Sequence, residues 1–286
     1  MCGAIRARSR HSRQAVPRHR DWAKELQPAL THWPSMQTQN ESTNGRRTHL
    51  ILGATGGIGS ALARRLAARG DTLFLAARDE TRLAALSEEL GASHATVEAT
   101  DFADVDRVAD LARAQFGRVD GLVNCVGSLL LKPAHLTRQD EFQATLMANL
   151  TTAFAAVRAA ARVMPEGGSV VLCSSAAART GLMNHEAIAA AKAGILGLMM
   201  SAAATYASRG LRVNAVAPGL VRTPLSARIT GSAAAAEASR ALHPLGRLGE
   251  PDDVASLIAW LVGPDATWVT GQCYGVDGGL GTVRAK

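Results

Sequence analysis

The sequence predicts an α/β fold, a single doubly wound domain whose seven-stranded, mostly parallel sheet carries helices on both faces. Three observations predict it. From Thr48 onward short apolar runs alternate with amphipathic stretches of helical period. Those runs are apolar almost without interruption, as strands covered on both faces are. The first of them, Leu50-Ile51-Leu52, meets the glycine cluster Gly53-Ala54-Thr55-Gly56-Gly57-Ile58-Gly59, and a helical pattern follows at once. A strand, a tight turn and a helix whose first amides point at a phosphate have that layout.

Taken in order, residues 1–47 show no hydrophobic period and carry Arg6, Arg8, Arg10, Arg13, Arg18 and Arg20 ahead of the first acid, Asp21. They read as a basic tail ending in a polar linker, with three origins open: a disordered extension, an organelle transit segment, or sequence ahead of a true start at Met36. No 7–15-residue apolar core of a secretory signal is visible in it. The domain proper is expected over 48–286. Strands are predicted at 48–53, 72–77, 94–99, 119–125, 168–174, 211–217 and 272–276, and helices at about 57–70, 80–90, 104–116, 138–163, 186–209 and 251–262. Arg69-Gly70 and Arg209-Gly210 place glycine just past the last turn, a helix stop. Leu220 to Gly246 breaks the rhythm and is expected to hang over the carboxyl edge of the sheet as a ligand-covering loop.

Charge narrows the function. Of the formal +7, residues 1–48 carry +6, with eight Arg and one Lys against three acids; the body is nearly neutral. That distribution, with 4% aromatic residues, argues against nucleic acid as a partner. Cys2, Cys125, Cys173 and Cys273 are too scattered for a zinc site or a disulfide framework, and Cys125 and Cys173 read as buried thiols in a reducing compartment. No metal site is expected. No apolar stretch is expected to reach the ~18 residues of a membrane span, and the expectation is a cytoplasmic protein without a membrane partner.

Six segments, in order, resemble those of the short-chain dehydrogenase/reductase family over about residues 48–281: the glycine loop at 53–59, Thr100-Asp101, Asn124-Cys125-Val126-Gly127, Asn149, Pro218-Gly219-Leu220-Val221-Arg222-Thr223-Pro224, and the end segments Pro244 to Pro251 and Val276-Asp277-Gly278-Gly279. The resemblance implies a Rossmann-like domain and an NAD(P)-dependent oxidoreductase. It assigns cofactor contacts to Gly53, Thr55, Gly56, Gly57, Ile58, Gly59, Arg78, Asp101, Phe102, Asn124, Val126, Gly127, Lys192, Pro218, Gly219, Val221 and Thr223. Asp101 is the acid expected to meet the adenine amine, and it is also placed to cap the next helix. Arg78, ending the second strand, points to NADP in preference to NAD, because a guanidinium suits a 2′-phosphate.

The same resemblance exposes one departure. The family's catalytic Tyr stands thirteen residues after a Ser and four before a Lys; here Ser175 and Lys192 are in place, but the Tyr position is Ile188. A hydrocarbon side chain neither gives nor takes a proton. Asn149, Ser175 and Lys192 remain as candidate catalytic residues, joined by His185, seven residues before Lys192 and on its helix face. That spacing is similar to the Tyr-x6-Lys of enoyl-acyl-carrier reductases. Three readings stay open: another side chain supplies the proton, His185 ahead of Glu186; water or a substrate group does; or the protein binds NADP without turnover as a sensor, scaffold or oligomer subunit. The expected substrate is a small ketone or acyl-type carbonyl compound. The small-residue-rich helix from Ala187 to Ala204 is expected to pair, with the helix at 138–163, into a homodimer or homotetramer.

Overall fold

The computed structural model describes residues 46–283. The expectations for the tail, including the start at Met36, therefore lie outside the described residues apart from Arg46 and Arg47. The strands are β1 (Thr48–Leu52), β2 (Thr72–Ala77), β3 (Ser93–Thr96), β4 (Gly121–Asn124), β5 (Gly168–Cys173), β6 (Leu211–Pro218) and β7 (Cys273–Val276). They form one sheet in the order β3-β2-β1-β4-β5-β6-β7, and every neighbouring pair is parallel. The order reverses direction between β1 and β4, which opens a crevice at their carboxyl ends, where ligands of such sheets sit.

The helices are α1 (Gly57–Ala68), α2 (Glu80–Leu90), α3 (Phe102–Phe116), α4 (Gln139–Leu146), α5 (Thr152–Val163), α6 (Glu186–Tyr206), α7 (Ala227–Thr230), α8 (Ala233–Leu242) and α9 (Pro251–Leu261). Alternation along the strands divides the core in two. Leu50, Leu52, Phe74, Leu122, Val170 and Leu172 face α3, α5 and α6. Their neighbours Ile51, Leu73, Leu75, Val123, Val171 and Val216 face α1 and α9.

Four expectations are corrected. β3 stops at Thr96, not residue 99, because the Glu98 amide turns to donate to the Asp104 carboxylate (2.6 Å) and the Asp101 amide to the Glu98 carbonyl (2.9 Å). The helix expected over 138–163 is interrupted by a π-helical turn at Met147–Thr151. There the side-chain amide of Asn149 donates to the carbonyl of Thr145 (2.9 Å), four residues back, so the α-helical ladder widens at that point. The segment 220–246 is not a plain loop, since α7 and α8 lie inside it. Finally, one helical stretch, Glu186–Arg209, is long and apolar enough to cross a membrane by length and composition. It packs against β5, β6 and α5 as a core helix, which accounts for its apolar character without a bilayer.

At the opposite edge of the sheet a polar clamp ties β1 to β2. His49 is fully buried with Nε2 3.3 Å from Asp71, which also binds Arg69 at 2.6 Å. Burial pushes the His49 imidazole below its ordinary value, against the opposing pull of Asp71. Asp120 accepts from the Thr48 amide at 2.8 Å and so joins β4 to the same edge.

Candidate active site

Gly53 follows β1 at φ +76°, and its own amide donates to the Ala76 carbonyl (2.8 Å) to hook the turn onto β2. A Cβ there would stand 2.9 Å from the Cys125 carbonyl carbon and the Val126 nitrogen, so only glycine lets the loop pass over the end of β4. Beyond it Thr55, Gly56, Gly57, Ile58 and Gly59 line a cleft of about 940 Å³ with Arg78, Val126, Gly127 and Thr223. The cleft runs from the ends of β2 and β3 across the glycine turn to α4 and the start of segment 220–246. The amino end of α1 opens on it with no acid in its first turn. Free amides and the positive end of a helix dipole make that a place for a phosphate.

The β2 end is cationic. Arg78 and Arg82 both line the cleft, and Arg82 donates to the Thr55 carbonyl (2.6 Å), holding α2 against the glycine loop. Asp79 lies between them, but its carboxylate accepts from the Arg82 amide (3.1 Å) as the cap of α2. Asp79, the acid next to Arg78, is thus engaged with backbone.

The acid that reaches the cleft after β3 is Glu98, not Asp101. Asp101 caps α3, accepting from the Ala103 amide at 2.8 Å, and does not line the cleft. Glu98, Ala99 and Thr100 do line it. Hydrogen bonds from the Thr100 hydroxyl and amide hold the Glu98 carboxyl below its ordinary range, helped by Arg78. Phe102 does not line the cleft either: its ring stacks on Phe154 (centroids 5.6 Å apart) with Arg158 over it.

Asn124 is buried and works from behind the wall. Its Oδ1 accepts from the Val126 amide (3.1 Å) and its Nδ2 donates to Thr152 (3.3 Å), which fixes the turn after β4. Pro218 closes β6 opposite Val276, and Gly219 donates to the Val276 carbonyl (3.1 Å). Gly219 lines a separate recess of about 380 Å³ with His243 and Asp277, and Val221 is buried against Gly249; both position Thr223 without lining the cleft. Thr223 arches over the glycine loop, where a Cβ on Gly57 would meet its Cγ2 at 2.6 Å.

Behind Gly127 lies the polar centre. A Cβ on that glycine would stand 2.9 Å from Asn149 Oδ1 and 3.4 Å from Lys192 Nζ. Asn149 is fully buried; its side chain accepts from the Ser128 amide (3.2 Å) and donates to the Ser128 hydroxyl (3.0 Å). Lys192 is 8% exposed, and its ammonium donates to the Cys173 carbonyl at 2.8 Å. Burial pushes its pKa down, opposed by the nearby thiols of Cys173 and Cys125. Ser174 donates to the Lys192 carbonyl (2.8 Å), so α6 is pinned to the end of β5 from both sides of one residue. Ser175 leads into a 3-10 turn at Ala176–Ala178, its Oγ accepting from the Ala177 amide at 3.2 Å.

Ile188 sits one helical turn before Lys192 and is 3% exposed, an apolar plug at the position where the resemblance calls for a phenol. His185 lies at the N-cap of α6, partly buried, and does not line the cleft. Its Nδ1 is 2.8 Å from the Met183 carbonyl; since a carbonyl only accepts, Nδ1 carries the proton and Nε2 of the neutral ring is the basic nitrogen. Glu98, Arg82, Ser128 and Ser174 are site residues that sequence reasoning missed. Only Arg82 had a visible signal, a second arginine one turn along the helix after Arg78.

Comparison with known proteins decides the family. The profile of the family described as enoyl-(acyl carrier protein) reductase matches residues 53–281. The chain belongs to the short-chain dehydrogenases/reductases. It is 35% identical, over 83% of its length, to an uncharacterized short-chain type dehydrogenase/reductase of Sinorhizobium fredii, of which it spans 44%. It is 34% identical to the 3-oxoacyl-[acyl-carrier-protein] reductase FabG of Escherichia coli, over 81% of this chain and 96% of that one. Among solved structures it is similar to a point mutant of the actinorhodin polyketide ketoreductase with NADPH, with a TM-score of 0.78 at 29% identity, covering 85% of this chain and all of that one. This short-chain dehydrogenase/reductase is thus an oxidoreductase by family, with the dinucleotide fold complete over the described residues.

Proposed function

We propose that the protein is an NADPH-linked reductase of a ketone or acyl-type carbonyl compound whose proton donor is not a phenol. The observation that carries the proposal is the preserved pairing of the Arg78/Arg82 cleft with the buried Asn149–Lys192 centre behind Gly127. The residues fit NADP: an unblocked helix N-terminus for the pyrophosphate, two guanidinium groups for a 2′-phosphate, and an Asp79 already engaged as a cap. The bound nicotinamide would supply the hydride. Lys192 is held by Cys173 and Ser174 at the edge of the cleft, where its ammonium suits the nicotinamide ribose. Asn149 and Ser128 keep that centre polar, and Ser175 supplies a hydroxyl for a substrate oxygen. FabG is named as a reductase of an acyl-carrier substrate and the polyketide enzyme as a ketoreductase with NADPH; both support the carbonyl class.

For the proton, His185 is the ionisable group at the head of α6 that shares a face with Lys192, with Nε2 outside the Met183 hydrogen bond. An imidazole can both give and accept a proton through its ring nitrogens. A second reading, an NADP-binding protein without turnover, is favoured by the burial of Ile188. The two part in one experiment: NADPH binding and turnover on a panel of ketones, acyl thioesters and enoyl compounds, in the wild type and in His185→Ala. Turnover lost in His185→Ala assigns the proton to His185. Turnover retained assigns it to water or substrate, and binding with no turnover on any compound leaves the non-catalytic reading.

Association into a homodimer or homotetramer is part of the proposal. Phe142, Met147 and Phe154 on the α4–α5 face and Met200 on α6 are exposed apolar side chains, on the two helices expected to pair. A monomer by light scattering at micromolar concentration would count against it.

A further inference from the structure

Cys125 and Cys173 form a pair that the proposed reaction does not use. The register of β4 on β5 sets Asn124 opposite Leu172, so the next residues, Cys125 and Cys173, stand side by side. Both side chains fall on the α1/α9 face of the sheet, packed in the same cluster as Val123 and Val171. Adjacent strands run ~4.8 Å apart, inside the ~4.4–6.8 Å between Cα atoms that a disulfide spans. Cys125 lines the cleft; Cys173 is 9% exposed beside it.

We propose that Cys125 and Cys173 are a dithiol that a hydroperoxide oxidises reversibly to a disulfide, and that this oxidation disables the dinucleotide cleft. The coupling to binding rests on the cofactor reading above; the sulfur chemistry does not. The contact with Cys125 holds the Cys173 thiol below the usual range, with Lys192 acting in the same direction, while the same contact and burial push Cys125 up. Cys173 therefore provides the thiolate. Its sulfur attacks the outer oxygen of R–OOH, the O–O bond breaks, and R–O⁻ leaves and takes a proton to become R–OH. The sulfenic acid on Cys173 is then attacked by the sulfur of Cys125, which loses its proton as water departs and the S–S bond forms. The balance is two thiols and R–OOH to one disulfide, R–OH and water.

Two contacts carry the change to the cofactor site. The Cys125 backbone lies against Gly53 at a separation that excludes even a methyl group, so a shift of Cys125 toward β5 alters the glycine turn. The Cys173 carbonyl is the acceptor for Lys192 Nζ, so movement there displaces the ammonium. A third described thiol, Cys273 on β7, packs on the other face of the sheet and takes no part.

The test treats the full-length reduced protein with tert-butyl hydroperoxide. Disulfide connectivity is read by mass spectrometry of non-reduced peptides, and NADPH affinity by fluorescence before oxidation, after it, and after dithiothreitol. The expected result is a Cys125–Cys173 disulfide, NADPH affinity at least tenfold weaker, and recovery on reduction. In Cys125→Ser, dimedone is expected to trap a sulfenic acid on Cys173. Absence of that disulfide in oxidised wild type, or pairing of either thiol with Cys2 or Cys273, overturns the proposal. A disulfide that leaves NADPH affinity unchanged overturns the coupling. If reduced protein binds no NADPH, the cofactor reading fails while the disulfide result still decides the dithiol.

Discussion

The two halves of the cleft differ in how much of a reductase's equipment they keep. Around β1–β3 the glycine turn, the α1 amino end, Arg78 and Glu98 line one wall suited to a dinucleotide. Around β5 and α6, Lys192 and Ser174 are interlocked, yet the side chain one turn before Lys192 is the buried hydrocarbon of Ile188. Cofactor binding depends on backbone approach and fixed charge, spread over many residues. Proton delivery depends on one side chain. The hydrocarbon of Ile188 bears on the second requirement alone and leaves the backbone and charges that serve the first untouched.

The largest expected effect breaks the contrast from the chemical side. If only the phenol is missing, Ile188→Tyr is expected to raise carbonyl reduction by about 10²–10⁴, the usual worth of a positioned acid–base group. Steady-state NADPH consumption measures it, and an unchanged rate would mean that the substrate half has diverged beyond this residue. Next comes Lys192→Met, where loss of a charged hydrogen-bonding group, worth about 1.5–3 kcal/mol, is expected to weaken NADPH binding by about 10–100-fold. Arg78→Ala sharpens the other half: NADPH affinity is expected to fall about tenfold with little change for NADH, which calorimetry would resolve. Equal losses for both cofactors would remove the 2′-phosphate assignment.

The smallest effect concerns neither half but the edge beneath them. His49 is buried with its pKa below the ordinary 6.5, so the unfolded chain binds the extra proton first. Stability is therefore expected to be flat above about pH 6.5 and to fall as pH drops below it. Thermal melts of wild type and His49→Gln across pH 5–8 check this, the variant losing that part of the slope. A wild-type melting temperature that rises as pH falls from 6.5 would show the sign to be wrong.

Strand positions, apart from the end of β3, and the glycine turn were legible because each rests on local pattern, apolar runs and turn glycines; Ser175 and Lys192 were singled out only through the family resemblance. The acid after β3 was not legible. Thr100-Asp101 looks like a ligand in sequence, but the helix takes Asp101 as its cap and leaves Glu98, three residues earlier, on the cleft. The π turn at Asn149 was hidden because it arises from a side chain competing for the Thr145 carbonyl, a contact no periodicity encodes. The juxtaposition of Cys125 and Cys173 depends on strand register, and nearly fifty residues separate them in the chain. His185 shares a helix face with Lys192, yet as N-cap it points its Nδ1 at the Met183 carbonyl and stays off the cleft wall.

The most direct test is equilibrium titration of the reduced wild-type protein with NADPH and, separately, NADH, followed by fluorescence. Saturable binding of NADPH is expected, tighter than that of NADH by about tenfold, the worth of a charge-assisted contact to the 2′-phosphate. Failure to bind either dinucleotide would contradict the claim that the cofactor half of this cleft is intact.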